Sequence, residues 1–470
     1  VITKFFREFR RLKNVKTAIE YAIESQLVPI FLTSITTISA FLTMISSPLE
    51  PLIGYGICMS VGIAWAWILS SLTLPAIINM ISWNPESNSI AKPSMLESLA
   101  SFFGKIVTRF PVQTFSGGMI LVLFGGIGIQ KINVDVNIAN FFKPGTEIRD
   151  SMDFMDREMS GTLDLRVRIE ADVRDPRILN EIDSFQSFIQ KNENISVTYS
   201  IADVVKQMHR TVMNDSLKYE SIPSTREKVN NLFTMYYMSG NQDELSSIID
   251  HDHKTTLITS LSSIMSTEDV FSLVESMTVY IKDHFYGAEK ISITGMIVVI
   301  RDMVLMVIRS SLLSISISII LIAFITTLFF GRVFWGALSI IPLFSAVILN
   351  FGLMGHFNIT LNHITAILSS IIIGVGVDFA IHYISQFQKL SKTKKEKNIT
   401  MDVVKDVGYP ILLDAGSNMG FGALIFSVFL PVQYIGGLMV FAMISTSLGT
   451  LTLLASSTQL LSNYVSKREY

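Results

Sequence analysis

An acidic residue interrupts one of the most apolar stretches of the chain, Gly374-Val375-Gly376-Val377-Asp378-Phe379-Ala380-Ile381-His382. A bare carboxylate at membrane depth is costly unless it is paired, hydrated or protonated. Asp378 therefore suits a group that takes and releases a proton or ion as its surroundings change; the alternative is a purely structural bond between helices. Gly374 and Gly376 clear side chains from the preceding turn and let a neighbouring helix approach. His382 follows Asp378 by four residues and shares its helix face. It either relays protons toward the cytosol or, near a helix end expected at 386, simply meets headgroups and water.

Asp414, Ser417 and Asn418 form a second polar strip on the following helix. Asn418 is the expected hydrogen-bond donor to Asp378, or interhelical glue; Asp414, nearer the cytosol, either takes part in ion coupling or snorkels. Thr33, Ser34, Thr36 and Thr37 occupy the corresponding place in an earlier helix, where packing is the simpler role. His251, Asp252 and His253 resemble a metal cluster but sit in a polar loop without a third spaced ligand, so a solvated turn is expected and no metal or cofactor is assigned. The chain contains no GxxxxGK[ST], GxSxG or HExxH motif, and no nucleophile–base constellation emerges, so no catalytic residue is assigned.

The elements holding these residues are membrane helices. Apolar residues make up 49% of 470 positions against 16% charged, with a mean hydropathy of +0.47. Eight stretches, at about 27–49, 52–82, 112–130, 310–330, 333–355, 359–386, 409–430 and 432–462, are long enough to cross a ~30 Å hydrocarbon layer, which takes roughly 20 helical residues. Between the third and fourth, 131–309 carries most of the acidic residues and all of the strand-like alternation. It reads as strand 162–171, helix 176–191, strand 195–200, helical segments within 201–250, strand 255–262, helix 267–285 and strand 290–294, a split β-α-β unit with a helical insertion. The lone Cys58 sits in an apolar helix and is expected to be buried; it offers no disulfide framework. A net charge of −2 gives no field that would attract nucleic acid.

Lysine and arginine mark cytoplasmic loops. They crowd residues 4–16, recur at Lys92, Lys105, Arg109 and Arg332, at Lys389, Lys392, Lys394, Lys395 and Lys397, and at Lys467 and Arg468, while the alternate loops (47–51, 355–362 and 430–432) have none. Both termini are thus expected in the cytoplasm and 131–309 outside. The expected division is a cytoplasmic amphipathic segment 1–26, helices in 27–82, a cytoplasmic linker 83–111, a helix 112–130, the outer domain 131–309, a five-helix bundle 310–462 and a tail 463–470. Shifting the sequence by 381 residues lays Pro29 on Pro410, Phe6 on Phe387, Ser46 on Ser427 and Gly56 on Gly437, with the same helix–loop–helix layout, a form of repetition common in transporters. The chain begins at Val1 rather than Met, and in this register a counterpart of the Asp378 region is expected about three residues upstream.

The GVGVD motif followed by Ile381-His382, the outer αβ domain after the first helix of a six-helix half, and the duplicated layout together resemble the MMPL-type branch of the resistance–nodulation–division (RND) superfamily, over essentially the whole chain. The resemblance implies a fold of membrane helices, eight here, with one extracytoplasmic α+β ferredoxin-like porter domain. It makes 112–462 helices seven to twelve and 1–82 the end of a first half. It implies that Asp378, in the tenth helix, is a coupling acid driven by H⁺ or Na⁺, with Gly374 and Gly376 as its packing motif. Its substrates would be lipids, lipid-like metabolites or drugs, and its setting a prokaryotic inner membrane with membrane lipids, and a homo-oligomer or envelope proteins, as companions. Many relatives carry Tyr after the acid; this chain has Phe379, which puts an aspartate–tyrosine pairing in doubt. Two rival readings are a sterol-sensing-like lipid receptor without net transport and an accessory to protein translocation.

Overall fold

The computed structural model describes residues 1–83, 95–238, 245–393 and 399–461. Lys92, Lys394, Lys395, Lys397, Lys467, Arg468 and the 463–470 tail lie outside them. The chain divides into two compact units, Val1–Val134 with Met306–Tyr470, and Asp135–Leu305. Seven helices among the described residues are long and apolar enough to span a membrane.

The amphipathic N-terminus is not one segment. Lys13 in the left-handed conformation (φ 54°) ends α1 (Ile2–Leu12), and Asn14 caps α2 (Val15–Leu42) by accepting from the Thr17 amide at 3.2 Å. Phe5 and Phe9 of α1 bury against Ala18 and Ala22 of α2 and Ile78 of α3 (Glu50–Met80), so the spanning helix begins twelve residues before its expected start at 27. A 3₁₀ turn, Thr43–Ser46, finishes α2. Cys58, expected to be buried, is exposed, because α3 buries little beyond Leu52, Gly56, Ser60 and Ile78 and presents its other apolar side chains outward. Helices α4 (Met95–Arg109) and α5 (Pro111–Ile129) follow.

The second unit opens with a 3₁₀ turn, Ile138–Phe141, followed by α6 (Glu147–Glu158). It then alternates β1 (Leu163–Glu170), α7 (Pro176–Gln190), β2 (Ile195–Tyr199), α8 (Ile201–Val212), α9 (Arg226–Met238), β3 (Thr255–Ser262), α10 (Thr267–His284) and β4 (Lys290–Thr294). The sheet order is β2-β3-β1-β4 with antiparallel neighbours, the split β-α-β arrangement, and α8 and α9 are inserted between β2 and β3. Period-two alternation explains β1: Leu163, Leu165, Val167 and Ile169 face inward while Arg166 and Arg168 face solvent. Asp175 caps α7, with Pro176 in its first turn, and Ser200 with Asp203 forms a capping box on α8.

The chain continues with α11 (Met296–Phe330), α12 (Val333–His356), α13 (His363–Thr393), α14 (Ile399–Asn418), α15 (Leu430–Gly449) and α16 (Ala455–Leu460); a π turn, Thr450–Leu454, joins the last two into one span. The crossing expected at 409–430 is not a single α-helix. The first turns of α14 carry Asp402, Lys405 and Asp406, and beyond Asn418 the backbone tightens into a 3₁₀ helix, Met419–Phe426, where Gly416, Gly420 and Gly422 weaken the α form. Part of the expected 83–111 linker is the packed helix α4, whose Ala100 and Gly104 lie against Gly408 and Val404 of α14. Around α13, the most buried of the spans together with α15, are packed α2, α12, α14 and α15.

Candidate functional site

Helix α13 starts where Asn362 accepts hydrogen bonds from the Ile364 and Thr365 amides, at 3.0 and 2.8 Å, while Thr365 Oγ1 accepts from the Asn362 amide at 2.8 Å. Asp378 stands at the midpoint of this helix, fifteen residues from each end, and is half-buried. One side of α13 is fixed by an aromatic stripe. Phe379, Tyr383 and Phe387 are fully buried; the Phe387 ring lies 5.7 Å from that of Trp335 on α12, and the Tyr383 hydroxyl is 2.8 Å from Thr458 Oγ1 on α16. Phe379 thus fills the position after the acid with an apolar ring.

The two glycines serve different neighbours. A Cβ on Gly374 would stand 3.0 Å from Thr37 Cγ2 of α2, and one on Gly376 would stand 2.8 Å from Thr446 Cγ2 of α15. The close approach at Gly374 brings Thr37 Oγ1 to 2.9 Å from the Gly374 carbonyl and 3.4 Å from Asp378 Oδ1. The same hydroxyl lies 2.8 Å from the Thr33 carbonyl of its own helix, so its one proton is shared among three acceptors, the carboxylate among them.

Asn418, expected to donate to Asp378, makes no hydrogen bond to it among the described residues; the hydroxyl of Thr37 is there instead, because the glycine draws α2 rather than the end of α14 onto the acid. The side chain of Asp414, like that of Ser417, is exposed. His382 shares the Asp378 face one turn on. It does not lie at the helix end: α13 runs on to Thr393, eleven residues further, and the ring is half-buried. Toward the C-terminal end of α13, Asp406 of α14 accepts from Gln386 at 2.7 Å and from Arg7 of α1 at 2.6 Å. In the second unit, His253 Nε2 lies 2.9 Å from the Tyr237 hydroxyl, and no group of three metal-ligating side chains occurs among the described residues.

In the sequence Thr37 stands with Thr33, Ser34 and Thr36, where packing is the simpler role, and nothing there singles out Tyr383, Thr446 or Thr458. A further set of buried hydroxyls lies between α2, α11 and α13: Thr43 Oγ1 is 3.1 Å from Ser314 and 2.8 Å from Ser318, Ser314 is 3.1 Å from Ser370, and Ser310 donates to Ser47 at 2.7 Å. The spacing of Ser310, Ser311, Ser314 and Ser318 on one face of α11 was the signal for it.

Seven apolar spans around a mid-helix acid define a multi-pass membrane protein. The sequence pattern of the MMPL family matches residues 176–469, more than half the chain, and the chain belongs to that family, a branch of the RND transporter superfamily. It is 20% identical over 326 residues to a membrane protein of Methanocaldococcus jannaschii, covering 65% of this chain and 79% of that one. Its fold is similar to that of the hedgehog release protein Disp from the water bear Hypsibius dujardini (TM-score 0.65, 14% identity, 97% of this chain) and to that of SecDF in its super-membrane-facing form (TM-score 0.55, 10% identity, 99% of this chain). The chain spans 61% and 52% of the lengths of those two proteins.

Proposed function

We propose that the protein of which this chain forms all or part exports hydrophobic or lipid-like small molecules across a prokaryotic inner membrane, driven by an ion gradient, with protons the favoured ion. The observation that carries this reading is Asp378: a carboxyl at the middle of the central helix, half-buried, with a single hydroxyl donor and no cationic side chain bonded to it among the described residues. An acid so held changes its interactions with α2 each time it gains or loses a proton, and the close contact at Gly374 turns that change into a shift of helix packing. In this reading both termini are cytoplasmic, the Asp135–Leu305 unit is an extracytoplasmic porter domain, and α11 passes the shift outward. His382 and Asp414 are secondary carriers on the cytosolic side, and Asn418 positions a neighbouring helix.

The test uses vesicles containing the full-length protein and a lipophilic fluorescent dye as the probe. Efflux is expected to follow an imposed pH gradient and to be abolished by Asp378→Asn with membrane insertion intact. Dye binding that is the same with and without a gradient, with no net movement, would favour the lipid-receptor reading and overturn this one.

A further inference from the structure

We propose that the buried hydroxyls between α2, α11 and α13 form a proton route connecting the outer surface with Asp378. The inference rests on the coupling role given to Asp378 above and supplies the path that role requires. Three helices contribute. From the Ser47 end of α2 the order is Ser47 with Ser310 (2.7 Å), then Thr43 with Ser314 (3.1 Å) and Ser318 (2.8 Å), then Ser314 with Ser370 (3.1 Å), and finally Thr37 with the Gly374 carbonyl (2.9 Å) and Asp378 (3.4 Å). Ser47, Thr43, Ser310, Ser314, Ser318 and Ser370 are each no more than 6% exposed.

Helix glue alone does not account for this arrangement. Serine and threonine in membrane helices commonly satisfy themselves on their own backbone one turn back. Here the hydroxyls of α11 instead meet those of two other helices. Ser311, on the same face and 6% exposed, has an Oγ with no hydrogen-bond partner, the mark of a polar lining with room for a further donor or acceptor. Ser310 and Ser314 on α11, and Ser370 and Gly374 on α13, are each four residues apart. That rise, about 6 Å, is close to the roughly 5.6 Å that one water spans between two hydroxyls at about 2.8 Å each.

The chemistry is balanced at every step. An incoming proton binds a lone pair of one hydroxyl oxygen while that oxygen passes its own O–H proton to the next acceptor. Each hydroxyl ends neutral with one proton, and the net change is one proton lost by the outer water and gained by the Asp378 carboxylate. The order of the groups also gives a direction: the Ser47–Ser310 pair adjoins the lysine-free loop at 47–51, which the charge pattern assigns to the outside.

The test is a pH jump on right-side-out vesicles of the full-length protein, following the carboxyl infrared band that Asp378→Asn removes. Ser314→Ala with Ser370→Ala is expected to slow the response to an external pH drop about tenfold, equivalent to about 1.4 kcal/mol of barrier. The response to an internal drop should keep its wild-type rate, and Ser314→Thr with Ser370 intact should restore the external one. A wild-type rate from outside in the double variant, or equal slowing from both faces as expected from damaged packing, overturns the route. Absence of any Asp378 band that responds to pH in the wild type would instead overturn the coupling role on which the route depends.

Discussion

In α2 with its 3₁₀ turn and α3, and again in α14 with its 3₁₀ helix and α15, an α-helix containing a proline (Pro29, Pro410) tightens at its end, and the next helix carries a proline in its first turn (Pro51, Pro431). The 381-residue shift that overlays them sets Thr33 on Asp414 and Thr37 on Asn418. What surrounds the two pairs differs. Thr33, Thr36 and Thr37 are buried, and Thr37 reaches the acid of α13, whereas Asp414 and Ser417 are exposed and Asn418 makes no hydrogen bond to that acid among the described residues. The second helices reverse this, since α3 buries four residues and α15 ten. A repeated pattern therefore fixes local backbone form, while the work a position can do is set by whichever helix lies against it.

The sharpest way to break this comparison is to neutralise the two acids in turn. Asp378→Asn is expected to lower gradient-driven efflux about a hundredfold or more, as for a lost proton-transfer group, and Asp414→Asn less than about tenfold. Equal losses, read from dye efflux in vesicles, would mean that the exposed strip on α14 serves the same step as the buried one.

Glycines give the next largest effect. Gly374→Val drives a side chain into Thr37, and Gly376→Val into Thr446; each is expected to cost about 2 kcal/mol through overpacking. Gly54 and Gly62 on α3 have no atom within 4 Å of an added Cβ, and valine there should change stability by no more than about 0.5 kcal/mol. Thermal unfolding in detergent measures all four, and similar costs on α3 would mean that its open face is covered.

A smaller effect separates the residues that the repeat superimposes. Thr37→Val removes the one hydroxyl on Asp378 and should move the pH profile of efflux, with Thr37→Ser restoring it; the loss is about 1.5 kcal/mol, that of one hydrogen bond to a charged group. Asn418→Ala should leave the profile where it is. A shift with Asn418→Ala would restore that residue as a partner of Asp378.

How far the sequence could be read differs between the two units for one reason. In Asp135–Leu305 water is the alternative environment, so burial imprints a period: the strands expected at 255–262 and 290–294 stand at those residues, β1 is shorter than expected by a residue at each end, and β2, α7 and α10 by a residue at one end. In the bundle, lipid is as apolar as a neighbouring helix, so a run of Leu and Ile reveals a span and not its partner. Asp378 was legible because an acid is an anomaly there. Thr37 was not, since Thr33, Thr36 and Thr37 all bond to a carbonyl of their own helix, and only Thr37 also meets α13. The end of α13 lies at Thr393 rather than at the expected 386 because the polar residues after Gln386 end the apolar run without ending the helix. Cys58 was taken as buried because an apolar neighbourhood looks alike on a lipid face and in a core.

The finest contrast sets the hydroxyl-lined bundle against the charged surface of the second unit, where titration affects stability rather than coupling. Burial, and then the nearby Arg174 guanidinium, hold the His253 imidazole below its ordinary 6.5. Above that pH the ring is neutral in both the folded and the unfolded chain. As pH falls through 6.5 the unfolded chain takes up the proton first, so stability is lost between 6.5 and the lower folded value. Protonation also removes the Nε2 lone pair that can accept from Tyr237, loosening α9 from the turn before β3. A second loss belongs to lower pH. Burial opposes it, but hydrogen bonds and charge from Arg174, with charge from Arg226, hold Asp172 below 3.8; in Asp250, burial is likewise outweighed by the Thr255 and Lys254 amides. Their contribution is complete above 3.8 and disappears as pH falls through the folded values. Hydrogen exchange in the full chain should therefore show α9 and β3 opening in two stages on acidification, and His253→Asn should erase the upper stage alone. If the upper stage persists in that variant, the weak point lies in the α9 packing itself and not in the imidazole.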